Sequence, residues 1–322
     1  MEKITISTLL QRELKRYSDR GLGLIFGIVW GLLLLKFVPP FARFIWPIAL
    51  NFIAQYEVER WKFIFYFTWL FNCTWYFFIN LCFCLIYKLE WKIFERSRVH
   101  NEPWPWKVNQ KEWRKQLNKT LKVIFLNNFV IIPSLVLMQA QIFGTESTYS
   151  FEIEELPDAK TFFLQTTFCM LLEDFLFTLS HRLLHIPFFY KRVHKQHHQY
   201  NISIGICAEY AHPIEFVFGN SIPFAIPCLI LGRKMHAFTY LLWNVYRVAN
   251  TVYGHSGYEF DWVFSDLLPF MATARYHDFH HSHNVGNYSG SFIFWDIIFE
   301  WNKDYYKHYA KIEQQSKQTK TE

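Results

Sequence analysis

The sequence contains little glycine and little charge for its length. Only 12 of its 322 residues are glycine and 19% are charged, whereas 52% are hydrophobic and 20% are aromatic. This composition argues against an ordinary soluble protein, which has more glycine and fewer aromatic side chains. The mean hydropathy of +0.02 is nevertheless low for a chain that lies wholly within lipid. We therefore expect part of the protein to lie in a membrane and part on the membrane surface.

The sequence also lacks the cysteine patterns and loops that hold most redox cofactors. It has no C-x-x-C pair, no haem attachment motif, no iron–sulfur cysteine set and no flavin or nicotinamide loop. Any electrons would therefore come from a separate protein. No nucleic-acid motif is present, so we expect no nucleic-acid partner. The six cysteines lie in or beside apolar stretches and are expected to be reduced core residues: Cys73, Cys82, Cys84, Cys169, Cys207 and Cys228.

Long apolar runs predict an all-α integral membrane protein. Four runs are apolar and long enough to span a membrane: residues 21–38, 63–87, 123–142 and 161–180. Pro39 and Pro40 are expected to end the first helix. The apolar segment 214–253 is interrupted by Arg233 and Lys234, and it predicts either two further spans or a re-entrant hairpin. Because these two cations fit poorly on the non-cytoplasmic side, the shallow hairpin is favoured.

Charge assigns segments of the chain to the two sides of the membrane. The basic loop 88–122 carries ten Lys or Arg against four Glu, and four Trp residues suited to lipid headgroups. By the positive-inside rule it is cytoplasmic, with the acidic loop 143–160 on the far side. The charged start of the chain does not resemble a cleavable signal peptide. We expect a cytoplasmic N-terminal segment (1–20), N-terminal spans with the interfacial loop (21–142), a catalytic domain (143–303) and a disordered polar tail (304–322).

Histidine is concentrated in three clusters. Five of the 18 residues from 181 to 198 are histidine, and the spacing H-x-x-H-H occurs twice. On a helix, this spacing places three imidazoles on one face. Eight convergent imidazoles exceed the four to six ligands that one ion takes, so the clusters predict two metal ions in a His-rich cytoplasmic cap. The candidate ligands are His181, His185, His194, His197, His198, His277, His280 and His281.

His255 is a candidate for a ninth ligand. It lies outside the three clusters, in YGHSGYEF at the end of the apolar hairpin, and glycines flank it on both sides. Two ions that share eight ligands still have room for another nitrogen if they are iron. A histidine that only caps the end of the helix is the alternative interpretation.

Several other residues near the clusters are candidates for supporting roles. Glu173 and Asp174 lie within a predicted span, where carboxylates usually face the protein interior, and Asp174 shares a helical face with His181. We expect Asp174 and Glu173 to support the ligands or to line a pocket. His212 would cap a helix, lie in a pocket or act as a further ligand, and Asp278 could orient an imidazole.

The motifs HRLLH, HKQHH and HDFHH, with AEYAHPIE, HSGYEF, GNY and FWDIIF, resemble the fatty acid hydroxylase and sterol desaturase superfamily. The linking sequences are most similar to its C4-methylsterol oxidase branch. This resemblance implies a protein of the endoplasmic reticulum membrane with a non-haem di-iron centre held by the eight clustered histidines. It also implies O2 as co-substrate, cytochrome b5 and its reductase as electron donors, and stepwise oxidation of a sterol 4-methyl group.

Two sets of alternatives remain open at the level of sequence. The histidine clusters define the oxidant and not the substrate, so a fatty-acyl or sphingolipid hydroxylase or a sterol desaturase fits them equally well. A zinc-bearing membrane hydrolase or structural protein is the alternative from another class. Basic residues between the first two clusters, Lys191, Arg192 and Lys195, are expected to dock an acidic electron donor.

Overall fold

A computed structural model describes residues 6–20, 22–143 and 148–321 of the chain. Residues 1–5, Gly21 and part of the predicted acidic loop, 144–147, lie outside the described ranges. Within them the chain is helical and forms no β-strand. The longer helices are α1 (Ile6–Arg20), α2 (Leu22–Gln55), α3 (Arg60–Leu89), α4 (Gln110–Phe143), α5 (Ala159–Leu184), α6 (Pro213–Lys234), α7 (Ala237–Gly254), α8 (Ala274–His283) and α9 (Lys303–Thr321). Shorter helical segments are Lys92–Glu95, Pro105–Val108, Ile153–Glu155, Pro187–Arg192, His194–Gln199, Gly205–Glu209, Phe264–Leu267 and Phe294–Ile298.

Five of these helices, α2 to α6, are long and apolar enough to cross a membrane. Their outer faces carry large apolar side chains that no protein atom covers, such as Phe44, Leu81, Phe125, Leu164 and Ile230. Water would make such surfaces unfavourable, whereas lipid tails cover them without cost. The predicted fold class, an all-α integral membrane protein, is therefore confirmed.

The prediction that Pro39 and Pro40 end the first span is wrong. The helix α2 continues through both prolines and through Pro47 to Gln55. A proline in a helix removes one backbone hydrogen bond, but neighbouring groups re-satisfy the freed carbonyl in a membrane helix. The span is consequently much longer than its most apolar stretch.

The basic segment 88–122 is only partly an interfacial loop. From Gln110 onward it is the first part of α4, and the Asn109 side chain caps this helix by accepting hydrogen bonds from Lys111 N and Glu112 N at 3.1 and 3.2 Å. Trp104, which we expected at the headgroups, is fully buried and packs 4.9 Å from the ring of Tyr87. Aromatic packing on α3 therefore outweighs the interfacial preference of this tryptophan.

The hairpin α6–α7 runs the full length of the bundle, which corrects the shallow hairpin favoured from the sequence. It begins beside the histidines, where Glu215 lies 2.8 Å from His194 Nδ1. Its tip is at the opposite end of α5, where Ser150 N donates to the Met235 carbonyl and Ala237 N to the Ser150 carbonyl. The exposed side chains of Arg233 and Lys234 lie at this tip, beyond the apolar part of the helix.

The C-terminal tail is helical in the described residues, so the prediction of disorder is wrong. Tyr305 and Tyr306 on α9 are buried against Leu9 of α1 and against Tyr276 and Phe279 of α8. The Tyr306 hydroxyl also donates to Glu13 at 2.5 Å. Tyr309 of α9 also packs against this cluster, and the three tyrosines of α9 supply enough apolar area to dock an otherwise polar helix.

The direction of the hairpin can be tested by labelling with a membrane-impermeant maleimide. We expect Arg233→Cys and Lys195→Cys to be labelled from opposite sides of the membrane, because these exposed residues lie at opposite ends of the bundle. The background would carry serine at Cys82 and Cys84, which are the exposed native cysteines among the described residues. Labelling of both positions from one side would contradict a full-length hairpin.

Candidate metal centre

Four parts of the fold bring nine histidines to one end of the bundle. The end of α5 carries His181, and His185 directly follows it. The 3-10 segment His194–Gln199, the end of α7 and the helix α8 supply the others. These nine residues comprise all eight clustered histidines and His255, and they form two groups.

The first group contains five histidines whose Nε2 atoms face one another. Its members are His181, His185, His194, His198 and His280. His194 Nε2 is 3.2 Å from that of His181 and 3.0 Å from those of His185 and His198. His280 Nε2 lies 3.1 Å from the Nε2 atoms of His185 and His198. One ion could therefore contact all five nitrogens.

The second group contains His197, His255, His277 and His281. His255 Nε2 is 3.3 Å from His197 Nε2 and 2.9 Å from His277 Nε2. His281 Nε2 is 3.2 Å from His277 Nε2. His255 follows the last residue of α7, and its side chain points toward the other nitrogens of this group.

Backbone carbonyls select one tautomer of several of these rings. His181 Nδ1 lies 2.8 Å from the Tyr288 carbonyl oxygen, and His255 Nδ1 lies 2.8 Å from that of Thr251. The Gly286 carbonyl accepts a hydrogen bond from His280 Nδ1, and the Tyr200 carbonyl accepts one from His281 Nδ1. A carbonyl can only accept, so each Nδ1 carries the proton and each Nε2 presents a lone pair to the centre. This is the arrangement in which imidazole binds a metal.

Burial keeps the rings neutral. It lowers the pKa of His255 to about 4 and that of His198 to about 3, because an imidazolium loses its hydration there. Burial, and next the neighbouring imidazoles, lower the pKa values of His194, His197, His277, His280 and His281 well below the usual range. At neutral pH all of these nitrogens are therefore free to act as ligands.

The donor set fits two metal ions. Several lone pairs that converge within about 3 Å repel one another unless a cation lies between them. A metal–nitrogen distance near 2.1 Å gives adjacent ligands a separation of about 3.0 Å in octahedral geometry, close to the observed range of 2.9 to 3.3 Å. Imidazole suits iron, zinc, copper and nickel, so the ligand type does not by itself select the metal.

Two buried carboxylates hold the loop that orients His181. Asp174 accepts from the backbone N–H groups of residues 290, 291 and 292 at 3.0, 2.6 and 3.1 Å. Asp296 accepts from those of Tyr288 and Ser289 at 3.1 and 3.0 Å. Five successive backbone amides are thus held in place. The Tyr288 carbonyl, which accepts the hydrogen bond from His181 Nδ1, is held in place with them. The sequence placed Asp174 near the ligands but gave no sign of these partners.

Gly286 is required by the same loop. Its φ is +61°, and a Cβ there would collide with the Trp301 carbonyl oxygen. Its own carbonyl accepts from His280 Nδ1 at 2.6 Å. A side chain at this position would therefore displace the acceptor that sets the tautomer of a candidate ligand.

The other predicted supporting residues have varied surroundings. Glu173 forms a buried ion pair with Arg247 (Oε1 to Nε, 2.5 Å), and with Asp174 it lines a small cavity beside His255 and His277. His212 caps α6 by accepting from Ile214 N at 3.2 Å. Asp278 accepts from Ser203 N at 3.4 Å and orients no imidazole among the described residues. Its position between His277 and His280 in the sequence had suggested otherwise, but that position does not determine which segment packs against its carboxyl group.

Glu215 was not singled out by the sequence. Its Oε1 lies 2.8 Å from His194 Nδ1, and its Oε2 is buried without a hydrogen-bond partner. It lines a small cavity together with candidate ligands of both groups. The sequence signal that could have identified it was an acidic residue near the start of the apolar segment 214–253.

Lys191, Arg192 and Lys195 are exposed on the segment between His185 and His197. Arg192 lies over the ring of Phe188 at 4.1 Å, while no ion pair involves any of the three within the described ranges. The candidate metal centre thus has a basic surface directly above it.

A helical membrane fold that gathers nine neutral imidazoles in two adjoining groups defines a membrane protein with a candidate two-metal centre. Residues 166–300 match the fatty acid hydroxylase family. The chain is 36% identical over 199 residues to a putative methylsterol monooxygenase of Dictyostelium discoideum, which covers 62% of this chain and 72% of that protein. It therefore belongs to the fatty acid hydroxylase and sterol desaturase superfamily, as its motifs suggested.

Other relatives carry two kinds of name. A methylsterol monooxygenase of Aspergillus fumigatus is 39% identical over 185 residues, or 56% of this chain and 60% of that protein. A very-long-chain aldehyde decarbonylase of Oryza sativa is 42% identical over 154 residues, or 47% and 56% of the two chains. No solved structure matches the chain significantly.

The role of His255 can be separated from that of a bystander histidine. We expect His255→Gln to lower bound metal as much as His281→Gln, since both present Nε2 to the same group of nitrogens. Replacing a residue that only hydrogen-bonds to a metal ligand typically costs about 10- to 100-fold in metal affinity or activity. Replacing the ligand itself should cost at least as much.

His283→Gln is the matched control, because this half-exposed ring lies against Phe279 and His308 outside both groups. Metal analysis of protein purified without a chelating resin provides the readout. Full metal content in His255→Gln would return His255 to a structural role.

Proposed function

We propose that the protein is an O2-dependent di-iron monooxygenase that oxidises a methyl group of a sterol-like lipid. The proposal rests on two features of the structure that lie side by side. Nine imidazoles converge in two groups, and an apolar cavity between the membrane helices adjoins them. The names of the relatives from Dictyostelium and Aspergillus support the sterol as substrate.

The nine histidines would hold two iron ions, which supply the activation of O2. The overall reaction inserts one oxygen atom into a C–H bond and reduces the other to water, consuming two electrons and two protons. The chain itself keeps the ligands neutral by burial and fixes their tautomers through backbone carbonyls. Its apolar helices admit a lipid from the bilayer and exclude bulk water from the reacting carbon.

Hydrolysis fits the site less well. A hydrolytic zinc site keeps an open position for water and a nearby group that moves protons. Here four and five imidazoles crowd the two groups, and apolar surface makes up most of the wall of the adjoining cavity. The site is therefore better suited to oxidation of a C–H bond than to attack by water.

The electrons would reach the centre from a separate acidic protein at the basic surface formed by Lys191, Arg192 and Lys195. Cytochrome b5 with its NAD(P)H-linked reductase is the donor that the sequence resemblance implies. The positive-inside rule places this surface in the cytoplasm, and sterol oxidation favours the endoplasmic reticulum membrane.

The substrate can be tested in cells that lack the protein. We expect 4-methylsterols to accumulate there, because oxidation of the methyl group precedes its removal. The wild-type chain and His283→Gln should restore the normal sterol profile, whereas His197→Gln should not. Unchanged sterols together with a loss of hydroxylated fatty-acyl lipids would contradict the sterol substrate and favour an acyl hydroxylase.

Docking of the electron donor should depend on salt. We expect reduction by the soluble domain of cytochrome b5 to slow as ionic strength rises past about 0.1 M, where the screening length falls to about 10 Å. The double variant Lys191→Glu/Lys195→Glu should be slow already at low salt. Arg233→Glu/Lys234→Glu, at the other end of the bundle, is the matched control. Equal reduction rates for both double variants would contradict this docking surface.

A further inference from the structure

A cavity lies between the membrane helices. Three short π-helical segments, Phe67–Phe71, Asn127–Ile131 and Phe216–Ser221, interrupt the helices around it. The first and third supply lining residues, and Ile132 directly after the second also lines the cavity. Segments of this kind are rare and occur frequently at functional sites, because they turn side chains out of helical register.

Apolar and polar residues, among them Gln139, Asn244 and Arg247, line this cavity, and Glu209 and Asn72 are part of its wall. Both are nearly inaccessible to solvent, with 6% and 8% of their surfaces exposed. Asn72 Oδ1 is buried without a hydrogen-bond partner. Glu209 Oε1 also has no hydrogen bond to any described residue, although Oε2 does. Burying a polar atom unpaired is costly, so these atoms are suited to receive a partner from a ligand.

The carboxyl group of Glu209 is held in place by the π-helical segment of α4. Asn128 Nδ2 donates to Glu209 Oε2, and Asn127 Nδ2 donates to the carbonyls of Glu209 and Ala211 at 3.3 and 2.9 Å. Asn128 Oδ1 is in turn 3.4 Å from Cys73 Sγ. Both asparagines are fully buried. The position of Glu209 is thus built by its neighbours and is not a chance burial.

Glu209 lies toward the end of the cavity that adjoins the candidate metal centre. Its neighbour Ala208, together with Asn220 and Thr251, lines both this cavity and the smaller one bounded by the candidate ligands. Gln139, by contrast, lies toward the far end, where it also lines a cavity with Tyr149. A ligand group bound at Glu209 would therefore lie next to the part of the ligand that faces the metals.

A hydroxyl group matches these atoms best. Burial raises the pKa of Glu209 to about 7, so at neutral pH both its protonated and ionised forms are present. A hydroxyl can donate to the ionised form and accept from the protonated one. The carbonyl oxygen of Asn72 can accept but cannot donate, so it also requires a donor from the ligand.

We propose that Glu209 and Asn72 form a recognition site for a hydroxyl group of the lipid substrate, adjacent to the carbon that is oxidised. The inference rests on the proposed function and narrows its substrate class to apolar lipids with a hydroxyl near the reacting methyl group. In a 4-methylsterol, the 3-hydroxyl lies on the carbon next to the methylated one. An unsubstituted acyl chain has no such group.

Binding measured in nanodiscs tests this site without requiring turnover. The probes are a 4,4-dimethylsterol with its 3-hydroxyl and the same sterol with a 3-methoxy group, which cannot donate. We expect the wild-type metal-loaded protein to bind the hydroxyl form about tenfold or more tightly, the range for hydrogen bonds to a charged group. Glu209→Leu should lose most of this preference, and Glu209→Gln should retain part of it.

Gln139→Leu is the matched control, because it changes the same cavity at the end away from the metal centre. Asn72→Leu gives an independent variant of the site should Glu209→Leu fail to fold. Equal binding of the two sterols by the wild type, or an undiminished preference in Glu209→Leu and Asn72→Leu, would overturn the proposal. Hydroxyl-selective binding without oxidation of either sterol would instead uphold this site and count against the proposed function.

Discussion

The electrostatics of nine lone pairs at close range govern this structure. Within each of the two histidine groups, neighbouring Nε2 atoms lie about 3 Å apart, and burial keeps the rings neutral. Neutral rings avoid repulsion between charges, but their lone pairs still oppose one another unless cations separate them. The site is thus arranged for metal ions, and their binding would contribute directly to the stability of the His-rich cap.

The surrounding fold can be understood as a means of holding these rings. The carbonyls of Thr251 on α7, and of Gly286 and Tyr288 in the loop after α8, fix the tautomers of three rings. The carboxylates of Asp174 and Asp296 in turn fix the loop that carries Tyr288. Asp174 belongs to α5, the same helix that supplies His181, so one helix sets both a ring and the acceptor of its proton. Displacement of this loop would affect the metal centre without any ligand being changed.

The clustering of the histidines could be expected from the sequence because part of it depends on local spacing. His277 and His281, four residues apart on α8, lie in the same group as such spacing predicts. The segment His194–Gln199 is a 3-10 helix, however, and each H-x-x-H-H motif is divided between the two groups instead of facing one spot. A count of coordination positions suggested His255. Whether these histidines bind metal stays a prediction. The structure does bring all nine together.

Long-range contacts could not be read from the sequence in the same way. The pairing of Glu215 with His194 and the position of Glu209 at Asn128 depend on how distant helices pack. Pro39 failed as a signal because a membrane helix tolerates proline, and Trp104 failed because buried aromatic packing competes with the interface. For Trp104, Glu215 and Glu209, a tertiary contact therefore determined the outcome.

The most direct test of the account is Mössbauer spectroscopy combined with metal analysis. The protein would be produced with iron-57 and purified in lipid without a chelating resin. We predict two iron ions per chain in two distinct environments, one for each histidine group, with spectra typical of nitrogen and oxygen ligands. Two zinc ions and no iron, or a single iron environment that survives substitution of His185 and of His197 alike, would contradict a di-iron centre.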